Sequence, residues 1–175
     1  MRGIGVFEFG GPEVLRVVDL PEKHATAGEV RIRVHASTVN PTDTYLRKGA
    51  RADALRNVLP PYVPGMDVAG VIDEIGAGTV TSLAIGAAVM AMVVNHASHG
   101  GYRESIVLPV DAVVRAPAGV TLIEADVADE WPHGTAVAGS ACAAVGPDAG
   151  GHGRGGVLWR LRRAARQGGR AARHR

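Results

Sequence analysis

The chain has 175 residues and a formal net charge of +2; 46% of its residues are hydrophobic and only 4% aromatic. That suits one domain, or one domain with a tail, whose core is mostly Val, Ile, Leu and Ala. One cysteine, Cys142, excludes a disulfide framework and a multi-cysteine zinc site, no apolar run is long enough to span a membrane, and a glycine-broken, acid-bearing N-terminus argues against a secretory signal, so a reducing cytoplasmic setting is expected.

Residues 3–8 and 13–19 read as two short extended runs about the turn Gly10-Gly11-Pro12. In Glu29–Ala36, Val30, Ile32 and Val34 alternate with Arg31, Arg33 and His35, the period of a half-buried strand. Asn40 is a good helix cap, Pro41 fits the first helical position and Gly49 can end the helix. Residues 50–64, rich in Pro and charge, read as a loop. Val68–Ile75 is a strand closed by the turn Gly76-Ala77-Gly78, and Ala87–Val94, Tyr102–Leu108 and Ala112–Ala116 complete the series. Many short strands, mixed turns and few helices predict a mainly β fold, a partly open β-barrel with short helices.

The character changes near residue 126. Residues 1–128 carry 11 basic and 14 acidic side chains, whereas 129–175 carry 8 Arg against 3 acids and little apolar periodicity. A basic helix can be drawn through 157–166 and stopped by Gly168-Gly169, but the segment as a whole lacks the β-branched and aromatic residues a core needs. We therefore expect two parts, a folded domain at 1–125 and a poorly ordered, basic Gly/Ala/Arg-rich tail at 126–175. The glycine-rich run 150–156 follows no Val/Ile-rich strand, so it is weak evidence for a phosphate-binding loop.

Five blocks stand in order in the first part, at residues 7–15, 39–49, 64–72, 100–104 and 117–120, and together they resemble the zinc-free quinone reductases of the medium-chain dehydrogenase/reductase superfamily. Phe7-Glu8-Phe9-Gly10-Gly11-Pro12 is similar to their first hairpin. Val39-Asn40-Pro41-Thr42-Asp43-Thr44-Tyr45-Leu46-Arg47-Lys48-Gly49 resembles the strand-to-helix corner at their active site. Pro64-Gly65-Met66-Asp67-Val68-Ala69-Gly70-Val71-Ile72, Gly100-Gly101-Tyr102-Arg103-Glu104 and Pro117-Ala118-Gly119-Val120 follow in the family's order. The resemblance implies a GroES-like catalytic domain that reduces quinones or similar enones with NADPH.

Departures from the pattern also carry information. Zinc-dependent relatives have a Cys in the corner block and His-Glu after Pro-Gly, where this chain has Asn40 and Met66-Asp67. A thioether is a poor zinc ligand, and His24, His35, His96 and His99 show no metal-binding spacing, so no zinc is expected. The family's Gly-Asp-x-Val turn is replaced by Gly86-Ala87-Ala88-Val89.

By resemblance, Asn40, Asp43 and Tyr45 are the catalytic-site residues, with Asn40 and Tyr45 also near the nicotinamide. Asn40 can donate and accept, and Tyr45 offers a ring face and a hydroxyl donor. Each also has a plain structural reading: Asn40 as a helix cap, Asp43 as a first-turn residue favoured by the helix dipole, Tyr45 as packing. Met66 reads as a core residue.

The family's nucleotide-binding Rossmann domain is not legible after residue 125. Back-translating residues 148–174 and reading one nucleotide later, with free choice of wobble bases, can spell TLAVTGAAGCFGGYAVQLAKAAGLRVI, a strand, a Gly-rich turn, a helix and the start of a second strand. Residues 129–135 similarly can give TNGLTA. A frameshift near 126–129 is the expectation, leaving this chain alone unable to bind NADPH and inactive. Two other classes stay open. One is a module whose eight tail Arg bind nucleic acid phosphates, although Trp159 alone gives little for bases to stack on. The other is a structural GroES-like module that assembles with itself or a partner.

Overall fold

The computed structural model of the chain describes residues 1–93 and 99–126. Readings made for the rest lie outside the described residues: the tail from 127, with Cys142, the run 150–156 and the helix at 157–166, and the loop residue His96.

Among the described residues seven strands and three short helices follow in order: β1 (Arg2–Gly5), β2 (Arg16–Asp19), β3 (Glu29–Ala36), α1 (Pro41–Arg47), α2 (Ala52–Leu55), β4 (Asp67–Ile75), β5 (Ala88–Met92), β6 (Ser105–Pro109), β7 (Val113–Arg115) and α3 (Leu122–Asp126). β1 and β2 pair as an antiparallel ribbon, and the other five form a sheet in the order β6-β3-β4-β5-β7. Every strand pairing among the described residues is antiparallel, and β6 and β7 stand as the edges of an unclosed sheet. Isolated bridges Gly3–Arg103 and Val6–Tyr62 tie the ribbon to the body. This is the mainly β, partly open arrangement expected from the sequence.

The alternation in β3 explains the sheet's two faces. Val30 and Ile32 are fully buried and Val34 nearly so, whereas Arg33 and His35 point outward. Val68 and Ile72 of β4, Val89 and Ala91 of β5, Ile106 and Leu108 of β6 and Val113 of β7 complete the same apolar cluster. Burying each Val, Ile or Leu of this cluster contributes about 1.5–3 kcal/mol. Arg31, on the outer face of β3, lies within 3.3 Å of Glu22, Asp73 and Glu74.

Three readings are corrected. Residues 50–64 are not all loop: α2 forms one turn, because Ala52 and Ala54 favour helix and Leu55 is buried beneath it. The run 13–19 is extended only from Arg16, since Pro12–Val14 make a 3-10 turn with Pro12 at its first position. β6 starts at Ser105, three residues later than expected, because Gly101 and Tyr102 bond back to Gly65 and Pro64 and Arg103 bridges to Gly3.

Candidate active site

The corner between β3 and β4 is built by hydrogen bonds that the sequence order alone does not reveal. Asn40 occupies the cap position of α1 in an extended conformation (φ −98°, ψ 158°), and Pro41 follows as the first helical residue. The Asn40 N–H donates to Asp43 Oδ2 at 2.8 Å, so a carboxylate in the first turn satisfies the cap's own amide. Gly49, at φ 80°, follows the helix and lets the chain turn away.

Asp43 is buried, at 4% exposure. Its Oδ1 accepts the Gly65 N–H at 2.7 Å and its Oδ2 lies 3.3 Å from the Tyr102 hydroxyl, which donates to it. Burial raises the Asp43 carboxyl above its ordinary value, opposed by the amides of Asn40 and Gly65. Burial, followed by the Asp43 charge, also holds the Tyr102 phenol protonated well above the usual tyrosine range. Asp43 thus ties the start of α1 to the segment entering β4, behind the site rather than in its opening.

In front lies a cleft of about 390 Å³ between α1, β4, β5 and α3. Asn40, Pro41, Thr42 and Tyr45 line one wall; Met66, Asp67, Val68, Met90, Ala91 and Met92 line the other, with Ala125 and Asp126 at one end. Tyr45 is 55% exposed, so its ring and hydroxyl are available at the rim. Met66, read from the sequence as core, is half-buried and belongs to the cleft wall.

Asp67 links the walls. Its Oδ1 accepts the Thr38 N–H at 2.9 Å and the Thr38 hydroxyl at 2.6 Å, and its Oδ2 accepts from Asn40 Nδ2 at 2.6 Å. Asn40 Nδ2 also lies 3.2 Å from Thr38 Oγ1. At the end of the cleft Asp126 is buried, and neither of its carboxyl oxygens has a hydrogen-bond partner among the described residues. Burial, then the Asp67 charge, pushes its pKa up to about 8.

Of the sequence-based site residues, Asn40 and Tyr45 come together on one cleft wall and Asp43 sits behind them. Thr38, Asp67, Tyr102 and Asp126 were not among them. The motifs holding Asp67 and Tyr102 were visible, but nothing local in sequence says that both side chains converge on Asn40 and Asp43. Among the described residues no group of three or more His, Cys, Asp or Glu is arranged to hold a metal ion, and no helix is long and apolar enough to cross a membrane.

Comparison with known proteins fits this architecture. Residues 26–118, more than half of the chain, match the alcohol dehydrogenase GroES-like domain. Over 81 residues the chain is 51% identical to the quinone oxidoreductase of Mus musculus, a stretch covering 43% of this chain and 22% of that protein. It is 37% identical over 124 residues to that of Sus scrofa, covering 67% of this chain and 34% of the other. Among solved structures, the quinone oxidoreductase from Coxiella burnetii superposes with a TM-score of 0.65 at 30% identity, covering 72% of this chain and 40% of that one. A mycobacterial protein complexed with NADPH gives 0.59 at 33% identity, covering 72% and 37%. The chain therefore matches only about a fifth to two-fifths of the length of these relatives. It belongs to the medium-chain dehydrogenase/reductase family, carries that family's alcohol dehydrogenase GroES-like domain, and is similar within the family to the quinone oxidoreductases.

Proposed function

We propose that residues 1–125 are the substrate-side half of an NADPH-dependent, zinc-independent reductase of quinones or similar enones, and that this chain alone is inactive. The observation that carries the reading is the cleft itself, where the Asn40 amide and the Tyr45 ring stand on one wall of an opening about 390 Å³ in size. That lies within the range of small-ligand sites, with a largely apolar lining and few polar groups to orient a flat ring. The amide, thioether and single carboxylate at Asn40, Met66 and Asp67 are a donor set better suited to holding an organic ring than a zinc ion.

NADPH, when bound, supplies a hydride, and with one proton from solvent the quinone becomes hydroquinone and the cofactor NADP⁺. Asn40 would orient the ring that enters, Tyr45 would stack on it and donate toward the oxygen gaining charge, and Asp43 would hold α1 at the correct angle. The groups that would hold the cofactor's pyrophosphate are not among the described residues, and this reading assigns them to a nucleotide-binding domain outside residues 1–125. Asp126 supports that boundary: among the described residues it alone has buried side-chain polar atoms without a partner, and it stands where the frame is proposed to change. An unpaired carboxyl facing a second carboxylate is what an unselected residue in a packed position looks like.

The test is to assay the chain beside a version whose coding frame is shifted by one nucleotide after codon 125. The expected result is NADPH-dependent reduction of benzoquinone by the shifted version and none by the present chain. Micromolar NADPH binding by the present chain would overturn the claim of inactivity. A shifted version that folds but neither binds NADPH nor reduces quinones would overturn the functional reading.

A further inference from the structure

We propose that Asp67 is a positioning residue that fixes which way the Asn40 amide faces, so that the cleft recognises a hydrogen-bond donor at that point. The Asn40 amide nitrogen has two hydrogens, and both are directed inward, one to Asp67 Oδ2 at 2.6 Å and one to Thr38 Oγ1 at 3.2 Å. Thr38 in turn gives its own hydroxyl hydrogen to Asp67 Oδ1 at 2.6 Å, while its backbone N–H approaches the same oxygen at 2.9 Å. The chain of donation runs from Asn40 through Thr38 to Asp67 and ends on a carboxylate that only accepts. Thr38 is 9% exposed, so water competes weakly for these bonds.

The orientation of an amide is set by its network, and this one permits a single choice. Turning Asn40 over would set its oxygen against Asp67 Oδ2 at the same 2.6 Å, two acceptors in contact with no hydrogen between them. With both hydrogens spent, Asn40 has only its Oδ1 to offer a ligand in the cleft it lines. That oxygen has two lone pairs, so one remains even if the other serves the first turn of α1. The matching ligand group is a donor: the N–H of a primary carboxamide or the O–H of a phenol. A ligand edge that only accepts, such as a quinone carbonyl, meets a like group at Asn40 Oδ1 and is left to the Tyr45 hydroxyl, which can donate to it. This rests on the reading of the cleft as a nicotinamide and quinone site, and refines it, because an amide free to turn would accept either kind of edge.

The experiment has a part that needs no ligand. In the ¹⁵N spectrum of the full chain, the Asn40 side-chain amide pair is identified by its loss in Asn40→Asp. It should be displaced from free-amide positions and slow to exchange, and should move toward them in Asp67→Asn, while amides of β1, β2 and β7 stay put. An Asn40 pair already at free-amide positions in the parent chain overturns the lock.

The second part titrates two probe pairs in which methylation removes the donors, nicotinamide against N,N-dimethylnicotinamide and hydroquinone against 1,4-dimethoxybenzene. The donor member of at least one pair should bind about fivefold more tightly, and which pair responds identifies the source of the donor. Asp67→Asn puts an NH₂ group beside Asn40 and should reverse the preference. Should that variant fail to fold, Thr38→Val, which frees one Asn40 hydrogen, should reduce the preference instead. Equal affinities within both pairs overturn the proposal. No binding by any probe, with the Asn40 pair still displaced and slow, leaves the lock standing and overturns the reading of the cleft.

Discussion

Asp43 Oδ1 accepts the Gly65 N–H at 2.7 Å, joining residues 22 apart in sequence across a buried contact. The same carboxylate takes the Asn40 N–H and the Tyr102 hydroxyl, so one side chain holds three segments together. Asp43→Ala would leave the Gly65 amide buried without a partner and remove the first-turn carboxylate of α1. The expected loss is about 3 kcal/mol, read from the midpoint and slope of a urea melt. Asp43→Asn should lose less, because it keeps one acceptor oxygen. An Asp43→Ala chain that melts like the parent would mean that the Gly65 segment is held from elsewhere.

Gly65 itself admits no side chain. Its φ of 105° lies where residues with a Cβ are strained, and a Cβ there would sit 2.6 Å from the Gly101 nitrogen and 2.7 Å from Tyr102 Cδ1. Backbone strain and overpacking each cost on the order of 1–3 kcal/mol. Gly65→Ala should therefore destabilise by about 3 kcal/mol in thermal or urea unfolding, and should weaken ligand binding by displacing Met66 and Asp67. A change of under about 0.5 kcal/mol would show that the Gly101-Tyr102 segment gives way freely.

The single Tyr102 hydroxyl hydrogen is shared between the Thr38 carbonyl at 3.2 Å and Asp43 Oδ2 at 3.3 Å. Both bonds are long, so Tyr102→Phe should cost only about 1 kcal/mol. The pH dependence is more telling. Burial and the adjacent Asp43 raise the phenol's pKa above its unfolded value, so the contribution of the neutral form is complete below about pH 10 and is lost as the pH rises beyond it. Ultraviolet titration of the three tyrosines should show one that stays un-ionised until the fold is lost, and that one should be missing in Tyr102→Phe. If all three ionise together while the protein is folded, the Tyr102 environment is wrong.

The parts of this molecule that depend on a local period were legible in its sequence. The alternation from Val30 to His35 identified β3 and its buried face, and Asn40-Pro41 identified the start of α1. The missing parts depend on contacts distant in sequence. Asp67 lies 27 residues from Asn40, and its carboxylate matters because β3 and β4 pair antiparallel and bring Ala36 beside Ala69. Asp43, legible as a first-turn acid, spends its carboxylate on Gly65 and Tyr102, which only the folded chain reveals. The one turn of α2 was hidden because its four residues are too few to show a period, and Leu55 is identified as its anchor only by burial.

Asp126 supplies the last expectation, and its sign runs against the usual behaviour of carboxylates. Most acids in folded proteins are stabilised as anions, so stability falls toward low pH. Asp126 is buried on α3 and has no hydrogen-bond partner among the described residues; burial, then repulsion by Asp67, pushes its pKa up to about 8. The folded state then binds a proton that the unfolded state releases from about pH 4 upward. Its contribution is complete below the unfolded value, declines through neutrality, and is fully lost above about pH 8. The full linkage at pH 7 amounts to roughly 4 kcal/mol. The measured loss stops earlier if the five-residue α3 detaches first, since local undocking caps the penalty. Asp126→Ala should therefore raise the melting temperature at pH 7.5 by about 5–10 °C, leave it nearly unchanged at pH 4, and flatten the decline between. Parallel curves for parent and variant across that range would show that the carboxyl is not buried as described, and would remove its support for the change of reading frame at that residue.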